Sequence, residues 1–317
     1  MKPTTLQQAI KYFADEQVCI DTVAALRWPN GPVCPKCEGT AHYYLATQKR
    51  WKCKKCSKQF SVKVGTIFED SPIGIDKWLI ALWMLVNCKN GISSYEVGRD
   101  LGITQKSAWF VLHRLRLALH NKTFGKLGGE VEADETYIGG AARFMHADKR
   151  KRMINGKTGW VGKTAVMGVL ERKGKVRATV LPDTYRSTLQ GHVREYVEPG
   201  SKVFTDAASG YTGLNAQYIH NVIDHAEAYV KGNIHTNGLE NFWSLLKRGL
   251  KGTYISTEPF HLFRYLDEQS FRYNNRGSKE TPMNDGDRFQ LALSQIGGKR
   301  LTFAEVTGKD GKIQSKN

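Results

Sequence analysis

The sequence predicts an α/β protein in which a mixed sheet with helices follows two small modules. Three observations support this fold class. Strand-like and helical patterns alternate after a glycine-rich link at residues 125–129, residues 75–121 keep a helical apolar period, and two Cys-x-x-Cys pairs precede them. The 317 residues are enough for two or three cores, because single hydrophobic cores stop growing at roughly 250 residues.

Composition limits the partners and the compartment. The chain has 47 Lys and Arg against 30 Asp and Glu, a formal charge of +17, which favours nucleic acid as partner over a merely basic protein. Its apolar runs are shorter than the roughly 18 residues of a membrane span, and the N-terminus lacks a signal-peptide core, so we expect a cytoplasmic protein. Six cysteines, four of them in tight pairs, indicate a metal site and not a disulfide framework.

The first 30 residues are predicted to be a helical lead-in. Leu6, Ile10 and Phe13 recur on one helical face. Asp21 is the predicted N-cap of a second, short helix over residues 22–27. The turn after residue 27 ends this helix.

Residues 31–68 predict a zinc ribbon. Cys34-x-x-Cys37 and Cys53-x-x-Cys56 have the spacing of a four-thiolate structural site, in which each pair binds a single zinc ion from its own turn. Basic residues around the second pair interleave with Trp51 and Phe60, which predicts phosphate contacts and an aromatic stacking surface. A ribbon that docks on protein is the alternative. The predicted DNA contacts in this module are Lys52, Lys54 and Lys55.

Residues 72–122 predict a helix-turn-helix DNA-binding region. After an apolar helix, the segment 94–101 forms a capped helix, Gly102 permits the turn, and Thr104 caps the next helix. A helical hairpin that only packs is the alternative. Three side chains at the start of the last helix are in position to enter a major groove: Gln105, Lys106 and Ser107.

Residues 128–300 predict the α/β domain, whose strands carry acids. Asp134 and Glu135 lie inside its first strand, and Asp206 follows another. Each acid alone has an ordinary explanation as an edge charge or a turn residue, but carboxylates buried in a sheet are costly unless a cation compensates them. The predicted strands cover residues 131–138, 164–170, 175–181 and 202–205, and the predicted helices cover 187–197, 237–249 and 258–274.

The helix predicted over residues 237–249 supplies a third acid. Glu240 shares a polar face with Asn237 and Lys247. Two strand acids and one helix acid can hold two Mg²⁺ or Mn²⁺ ions about 3.5–4 Å apart for an in-line displacement at phosphorus. Oxygen ligands suit such hard cations. Two cationic residues at the end of this helix are predicted to bind phosphate: Arg248 and Lys251.

Three other segments carry weaker signals. Residues 149–152 form a basic cluster in a predicted loop. The stretch 156–164 resembles a nucleotide-binding P-loop, but it lacks the first glycine of that motif and a strand follows it, so no nucleotide cofactor is predicted. Residues 301–317 form a C-terminal tail that is predicted to be disordered from Gly308.

Together these motifs resemble the transposases of the IS1595 group of bacterial insertion sequences, which have an ISXO2-like transposase domain. The resemblance covers nearly the whole chain, and Leu239 and Asn241 depart from the usual Ile and Gly without affecting the chemistry. Its most specific motif is the run at 235–249. The others are Cys-Pro-x-Cys at 34–37, Trp-x-Cys-x-x-Cys at 51–56, Asp-Glu-Thr-Tyr-Ile-Gly-Gly at 134–140, Thr-Asp at 205–206 and Phe-Arg-Tyr-Asn-Asn-Arg at 271–276.

The resemblance implies an RNase H-like catalytic domain of the DDE class with a mixed five-stranded sheet. Asp134, Asp206 and Glu240 would then bind divalent metal, and Lys247 would be a further active-site residue. Asn237 stays an alternative third ligand, because some members of the group have Asn in that role.

The implied protein binds the terminal inverted repeats of an insertion sequence and catalyses strand cleavage and strand transfer on double-stranded DNA. It would act as a homodimer or higher homo-oligomer on the bacterial nucleoid. The alternatives are a Mg²⁺-dependent nuclease or resolvase without strand transfer, and a DNA-binding regulator whose catalytic domain is inactive.

Overall fold

The computed structural model describes residues 2–120, 125–140, 146–154, 162–206, 209–223 and 236–309. These residues form two compact units, which we describe separately. The first contains the described residues up to 120 and those from 275 to 309, and the second contains those from 125 to 274. Among the described residues, no helix is both long enough and apolar enough to cross a membrane.

The first unit begins with two helices, of which the second is longer than its prediction. Asp15, and not Asp21, caps it: the Asp15 carboxylate accepts the Gln17 N–H at 2.7 Å. Asp21 lies inside the helix, where its carboxylate accepts the Gln17 side-chain amide. The prediction of a cap at Asp21 was therefore wrong, since Asp15 can cap equally well and the buried face formed by Cys19, Ile20 and Val23 continues the helix across Asp21. The helices are α1 (Leu6–Tyr12) and α2 (Glu16–Arg27).

A three-stranded antiparallel sheet follows, in the order β1-β2-β3. Trp51 on the central strand lies opposite Phe60, and Trp28 packs edge-on against both rings. These aromatic rings form the small core beneath the cysteine turns. The strands are β1 (His42–Leu45), β2 (Arg50–Cys53) and β3 (Gln59–Phe60).

Three helices complete the N-terminal part of this unit. Almost every side chain of the first is buried, which agrees with its apolar sequence. The second begins with a capping box between Ser93 and Glu96 and ends at Gly102, whose φ of 60° favours glycine. The Thr104 hydroxyl caps the third. They are α3 (Ile75–Asn87), α4 (Ser94–Leu101) and α5 (Gln105–Leu119).

The second unit is built on a mixed five-stranded sheet in the order β6-β5-β4-β7-β8. The strands β6, β5 and β4 pair antiparallel, whereas β4, β7 and β8 pair parallel. The predicted mixed sheet is confirmed, and β8 is the strand that lacked a sequence prediction. The strands are β4 (Glu130–Ile138), β5 (Thr164–Glu171), β6 (Val176–Val180), β7 (Lys202–Asp206) and β8 (Ile219–Ile223).

Helices cover both faces of this sheet. One apolar cluster joins the sheet to α7, and another joins it to α8 and α9. Residues 149–152 lie in a helix and not in the predicted loop, because the sequence there consists of good helix formers after an acid in the first turn. The helices are α6 (Ala147–Ile154), α7 (Arg186–Tyr196), α8 (Asn237–Gly249) and α9 (Leu262–Asn274).

The helices after Asn274 belong to the first unit, although the predicted α/β range extends to residue 300. The Phe289 ring packs against Trp83 and Phe13, with ring centroids 5.2 and 5.5 Å apart, which draws this segment into the N-terminal core. Of the predicted tail, residues 310–317 lie outside the described residues. The two helices are α10 (Asp285–Ser294) and α11 (Phe303–Thr307).

Candidate functional site

The four paired cysteines converge on one point. All four sulfurs lie within 4.8 Å of one another, with 3.7 Å between Cys34 and Cys56 and 3.5 Å between Cys37 and Cys53. Zinc–thiolate bonds of about 2.3 Å in a tetrahedron place sulfurs roughly 3.8 Å apart, so this donor set fits one structural zinc ion. Burial raises the pKa of Cys34, but the N–H groups of Lys36 and Cys37 outweigh it and lower that pKa to about 7. The Gly39 N–H lowers the pKa of Cys37, but the neighbouring thiols and burial outweigh it and raise that pKa, so the four thiols do not ionise alike.

The surface of this module differs from the prediction in its aromatic residues. Trp51 and Phe60 are 8% and 3% exposed and pack on each other, so the predicted stacking surface is wrong. Tyr43 and Tyr44 are the exposed rings instead, and the Lys54 ammonium lies 4.5 Å from the Tyr43 centroid. The predicted basic contacts are all exposed: Lys52, Lys54 and Lys55.

The start of α5 gives its three predicted base-reading residues different environments. The Gln105 side-chain amide donates to the Ser94 hydroxyl at 2.9 Å and so ties α5 to α4. Ser107 donates its backbone N–H to the Thr104 hydroxyl, which in turn donates to the Ser107 hydroxyl. Lys106 is exposed. Gln105 and Ser107 therefore stabilise the turn between α4 and α5, whereas the Lys106 side chain is exposed to solvent.

Strand β4 sends its neighbouring acids to opposite faces of the sheet, because strand side chains alternate. Asp134 faces α8, where it contacts Trp243. Glu135 faces the α7 side, against Tyr211. Burial raises the pKa of Glu135 to about 7 even though Tyr211 lowers it, and its buried Oε1 atom has no hydrogen-bond partner among the residues that the structure describes. Two adjacent acids that the sequence alone does not distinguish thus lie on opposite faces of the sheet.

Asp206 reaches the same face as Asp134. Strands β4 and β7 run parallel with Glu132 opposite Phe204, and the next residues along that face are Asp134 and Asp206. Neighbouring strands lie about 4.8 Å apart, so the two carboxylates are adjacent. In agreement, the charge of Asp206 raises the pKa of Asp134.

Helix α8 brings the third predicted acid to this face. Glu240 lies in its first turn and is exposed, and its charge also raises the pKa of Asp134. Asn237, the alternative third ligand, is exposed one turn earlier at the start of the same helix. The oxygens of the three acids are not all within 4.8 Å of one another, unlike the sulfurs of the cysteine site.

The electrostatics of Asp134 favour a bound cation. Burial is the main reason that its pKa rises to about 6, and repulsion from Asp206 and Glu240 adds to the rise, although the Trp243 N–H lowers it. Divalent cations with oxygen ligands relieve this type of repulsion. The carboxylate oxygens are therefore ligands of the type that Mg²⁺ or Mn²⁺ prefers.

Cationic side chains flank the acids. Burial lowers the pKa of Lys247, the nearby Asp134 raises it, and Lys251 and Lys163 lower it further. Lys247 therefore lies within electrostatic range of both the acid and two other lysines. Arg248 is exposed on α8, and Lys251 is exposed on the π-helical turn that continues it.

Four residues of this region were not predicted: Glu132, Lys163, Arg172 and Trp243. Glu132 shares the Asp134 face because it lies two residues earlier in the strand, which is a usable sequence signal. Trp243 lies one helical turn after Glu240, but the sequence gives no sign that its N–H meets Asp134. Of the run at 235–249, residue 235 lies outside the described residues, as do residues 155–161 of the P-loop-like stretch.

Two family models match the chain. One, described as an ISXO2-like transposase domain, matches residues 126–274, which are the described α/β unit almost to the residue. The other, described as a transposase zinc-ribbon domain, matches residues 14–59 and includes all four cysteines of the metal site.

Two relatives are similar over most of their own lengths. An uncharacterized protein in the transposable element ISH50 of Halobacterium salinarum is 26% identical over 256 residues, which are 76% of this chain and 85% of that protein. An uncharacterized transposase-like protein of Haemophilus influenzae is 37% identical over 105 residues, which are 32% of this chain and 84% of that protein.

Proposed function

The chain belongs to the IS1595 family of insertion-sequence transposases, and on this premise we propose that it is a DNA transposase of the DDE type. It binds the terminal inverted repeats of an insertion sequence and catalyses metal-dependent strand cleavage and strand transfer. The observation that carries this proposal is the placement of Asp134 and Asp206 on adjacent parallel strands, with Glu240 close enough to perturb the pKa of Asp134.

The sheet supports an RNase H-like assignment for the catalytic domain. Three antiparallel strands followed by two parallel ones, in the order β6-β5-β4-β7-β8, are the arrangement expected of that fold. The central strand β4 carries Asp134, and the end of its parallel neighbour β7 carries Asp206. Acids at these two places lie side by side on one face of the sheet.

The proposed metal ligands are Asp134, Asp206 and Glu240, with Asn237 as the alternative to Glu240. Two bound Mg²⁺ or Mn²⁺ ions would activate the attacking oxygen and stabilise the leaving oxygen of an in-line displacement. Lys247 lies beside these acids and places a positive charge where phosphate oxygens must approach. Glu240 is the stronger candidate because two dications require more negative charge than an amide supplies.

The reaction needs no covalent bond to the protein. In the first step, water attacks a phosphodiester at the element end, the P–O3′ bond breaks, and a free 3′-hydroxyl remains. In the second step, that hydroxyl attacks a phosphodiester of the target, a new P–O bond forms, and the target's own 3′-hydroxyl leaves. Both steps are displacements at phosphorus, so a single set of residues can serve both.

The first unit supplies most of the proposed DNA contacts, and α8 with the turn after it supplies the others. The zinc ribbon exposes Lys52, Lys54 and Lys55, and the start of α5 exposes Lys106. Such cations bind phosphate and set the register of a protein on DNA. Gln105 and Ser107 are proposed to support the helix-turn-helix, and Arg248 and Lys251 to bind the backbone near the acids. Joining two ends to one target requires at least a homodimer, which we propose acts on the nucleoid.

A strand-transfer assay tests the proposal. The zinc-loaded protein is incubated with Mg²⁺ or Mn²⁺, a labelled duplex that carries the inverted repeat flanking its gene, and a supercoiled plasmid. We expect labelled plasmid from wild type and none from Asp134→Asn. Cleavage without joined product would support the nuclease or resolvase alternative. Binding without cleavage in both proteins would support the regulator.

A further inference from the structure

We propose that Trp243 is a positioning residue that fixes the Asp134 carboxylate through its indole N–H. This inference rests on the proposed function, since it assigns Asp134 to a metal. The Nε1 atom of Trp243 donates to Oδ2 of Asp134 at 2.9 Å, and the Trp243 side chain is only 4% exposed. An indole N–H is a donor only, so it cannot itself bind a cation. It occupies one lone-pair site on Oδ2, and the Glu135 backbone N–H also stabilises this carboxylate.

The structure makes room for this contact at Gly168. Gly168 lies directly opposite Asp134 in the β4–β5 pairing. A Cβ atom there would lie 2.6 Å from Cζ2 and 2.8 Å from Cη2 of Trp243, and 2.8 Å from Cδ2 of Leu239, which is too close for either side chain to stay in place. Gly168 is not among the residues with positive φ, so its backbone does not need glycine. The close approach of the indole ring and of the Leu239 side chain is what requires it.

A second contact holds the same helix on the same strand. Glu132, two residues before Asp134, accepts the Leu239 N–H at 3.0 Å through Oε2, and its Oε1 accepts the Arg172 Nε at 3.1 Å. The N-cap of α8 makes no side-chain hydrogen bond, so Glu132 serves a helix N-terminus that lacks a local cap. Strand β4 therefore holds α8 at two points one turn apart.

These two contacts differ in what they reach. Glu132 sets the position of α8, whereas Trp243 touches the proposed metal ligand itself. Asp206 and Glu240 repel the Asp134 carboxylate, and the Trp243 N–H opposes this by holding one oxygen. Loss of a hydrogen bond that orients a metal ligand generally costs about 10–100-fold in metal affinity or activity.

The test is Trp243→Phe, which removes the N–H and keeps most of the ring volume. In the zinc-loaded full chain, Mn²⁺ binding is followed by electron paramagnetic resonance of the free ion. We expect Mn²⁺ affinity to fall about 10–100-fold. The Mn²⁺ concentration for half-maximal cleavage should rise to match, and the rate at saturating Mn²⁺ should approach that of wild type. Trp83→Phe is the matched control: it makes the same change at a buried indole of the first unit and should leave Mn²⁺ affinity unchanged.

A second measurement does not depend on this variant's folding. Gly168→Ala keeps the indole N–H but displaces the ring, and should weaken Mn²⁺ binding in the same direction. In wild type, Mn²⁺ should broaden one indole N–H signal far more than the others, and that signal should shift in Gly168→Ala.

The outcomes separate this inference from the proposed function. If Asp134→Asn loses Mn²⁺ while Trp243→Phe and Gly168→Ala bind it as wild type does, the positioning role is overturned and the proposed function stands. If Asp134→Asn binds Mn²⁺ as wild type does, both are overturned.

Discussion

The cysteine site and the carboxylate site are assembled in opposite ways. The four cysteines come from two short turns, and their sulfurs lie within 4.8 Å of one another. The carboxylates come from β4, β7 and α8, and their oxygens are less tightly grouped. Backbone N–H groups lower the pKa of Cys34, whereas burial and neighbouring acids raise that of Asp134.

This difference indicates what each site contributes to the protein. A site whose four ligands are already grouped by two short turns should add to folding stability once metal binds. A site whose ligands repel one another is kept at a cost to stability and is typical of function. Loss of a cysteine should therefore destabilise the fold, and loss of an acid should stabilise it while abolishing activity.

The largest effect is expected for Cys56→Ser. Structural zinc in small domains contributes on the order of 10 kcal/mol of apparent binding free energy, and three thiolates with one hydroxyl bind it far less tightly. We expect bound zinc, measured by elemental analysis, to fall well below one equivalent, and the amide signals of the ribbon to lose their dispersion. Cys19→Ala, at a buried thiol outside the set, should retain zinc. Full zinc content in Cys56→Ser would contradict a structural role.

The opposite outcome is expected for Asp134→Asn. Metal activation of a phosphoryl displacement is worth several kcal/mol, so strand cleavage should fall at least about a thousandfold, or roughly 4 kcal/mol. Without added Mg²⁺ or Mn²⁺, the urea midpoint at pH 7 should rise. The folded pKa of about 6 exceeds the ordinary 3.8, so the ionised carboxylate destabilises the fold above pH 6. The exposed Asp148→Asn should change neither quantity. A lowered midpoint would show that Asp134 is mainly structural.

The same contrast explains how much of the fold could be predicted from the sequence. The four predicted strands agree with the structure to within one residue at each end, since their buried faces give a clear pattern. Strand β8 was missed because its apolar residues are not buried: Ile219 and Val222 are 56% and 51% exposed. The other edge strand, β6, could be predicted because Val176 is fully buried and its strand keeps an apolar face.

The candidate sites follow the same rule. The cysteine site could be predicted completely because its geometry is set by spacing within two turns. Asp134 and Asp206 could be predicted from their places in strands. The contacts of Trp243 and Arg172 could not, since they join residues 109 and 40 positions apart to the acids they support. Side-chain contacts of this type depend on tertiary packing, which leaves no local pattern.

A smaller effect on stability is expected from Arg172→Met, which tests whether tertiary ion pairs support the acid-bearing strand. Arg172 pairs with Glu132, whose side chain is 1% exposed. A buried charge that loses its partner destabilises a protein by about 3 kcal/mol. We expect the urea midpoint at pH 7 to fall accordingly, and the double variant with Glu132→Gln to recover part of the loss. Lys173→Met, at the exposed neighbour, is the control. An unchanged midpoint in Arg172→Met would show that the remaining partners of Glu132, the Leu239 N–H among them, are sufficient without the ion pair.

The smallest effect is a pH dependence at Glu135, on the sheet face away from the proposed ligands. Burial raises its folded pKa to about 7 from the ordinary 4.5. The folded state therefore holds a proton that the unfolded state releases, and stability is lost as pH rises from 4.5 to 7. Glu135→Gln should remove this penalty above pH 7 and change little below pH 4.5. Urea midpoints of wild type and variant should thus diverge between these pH values. Parallel curves would mean that the Glu135 carboxyl reaches water, and that only one face of β4 carries electrostatic strain.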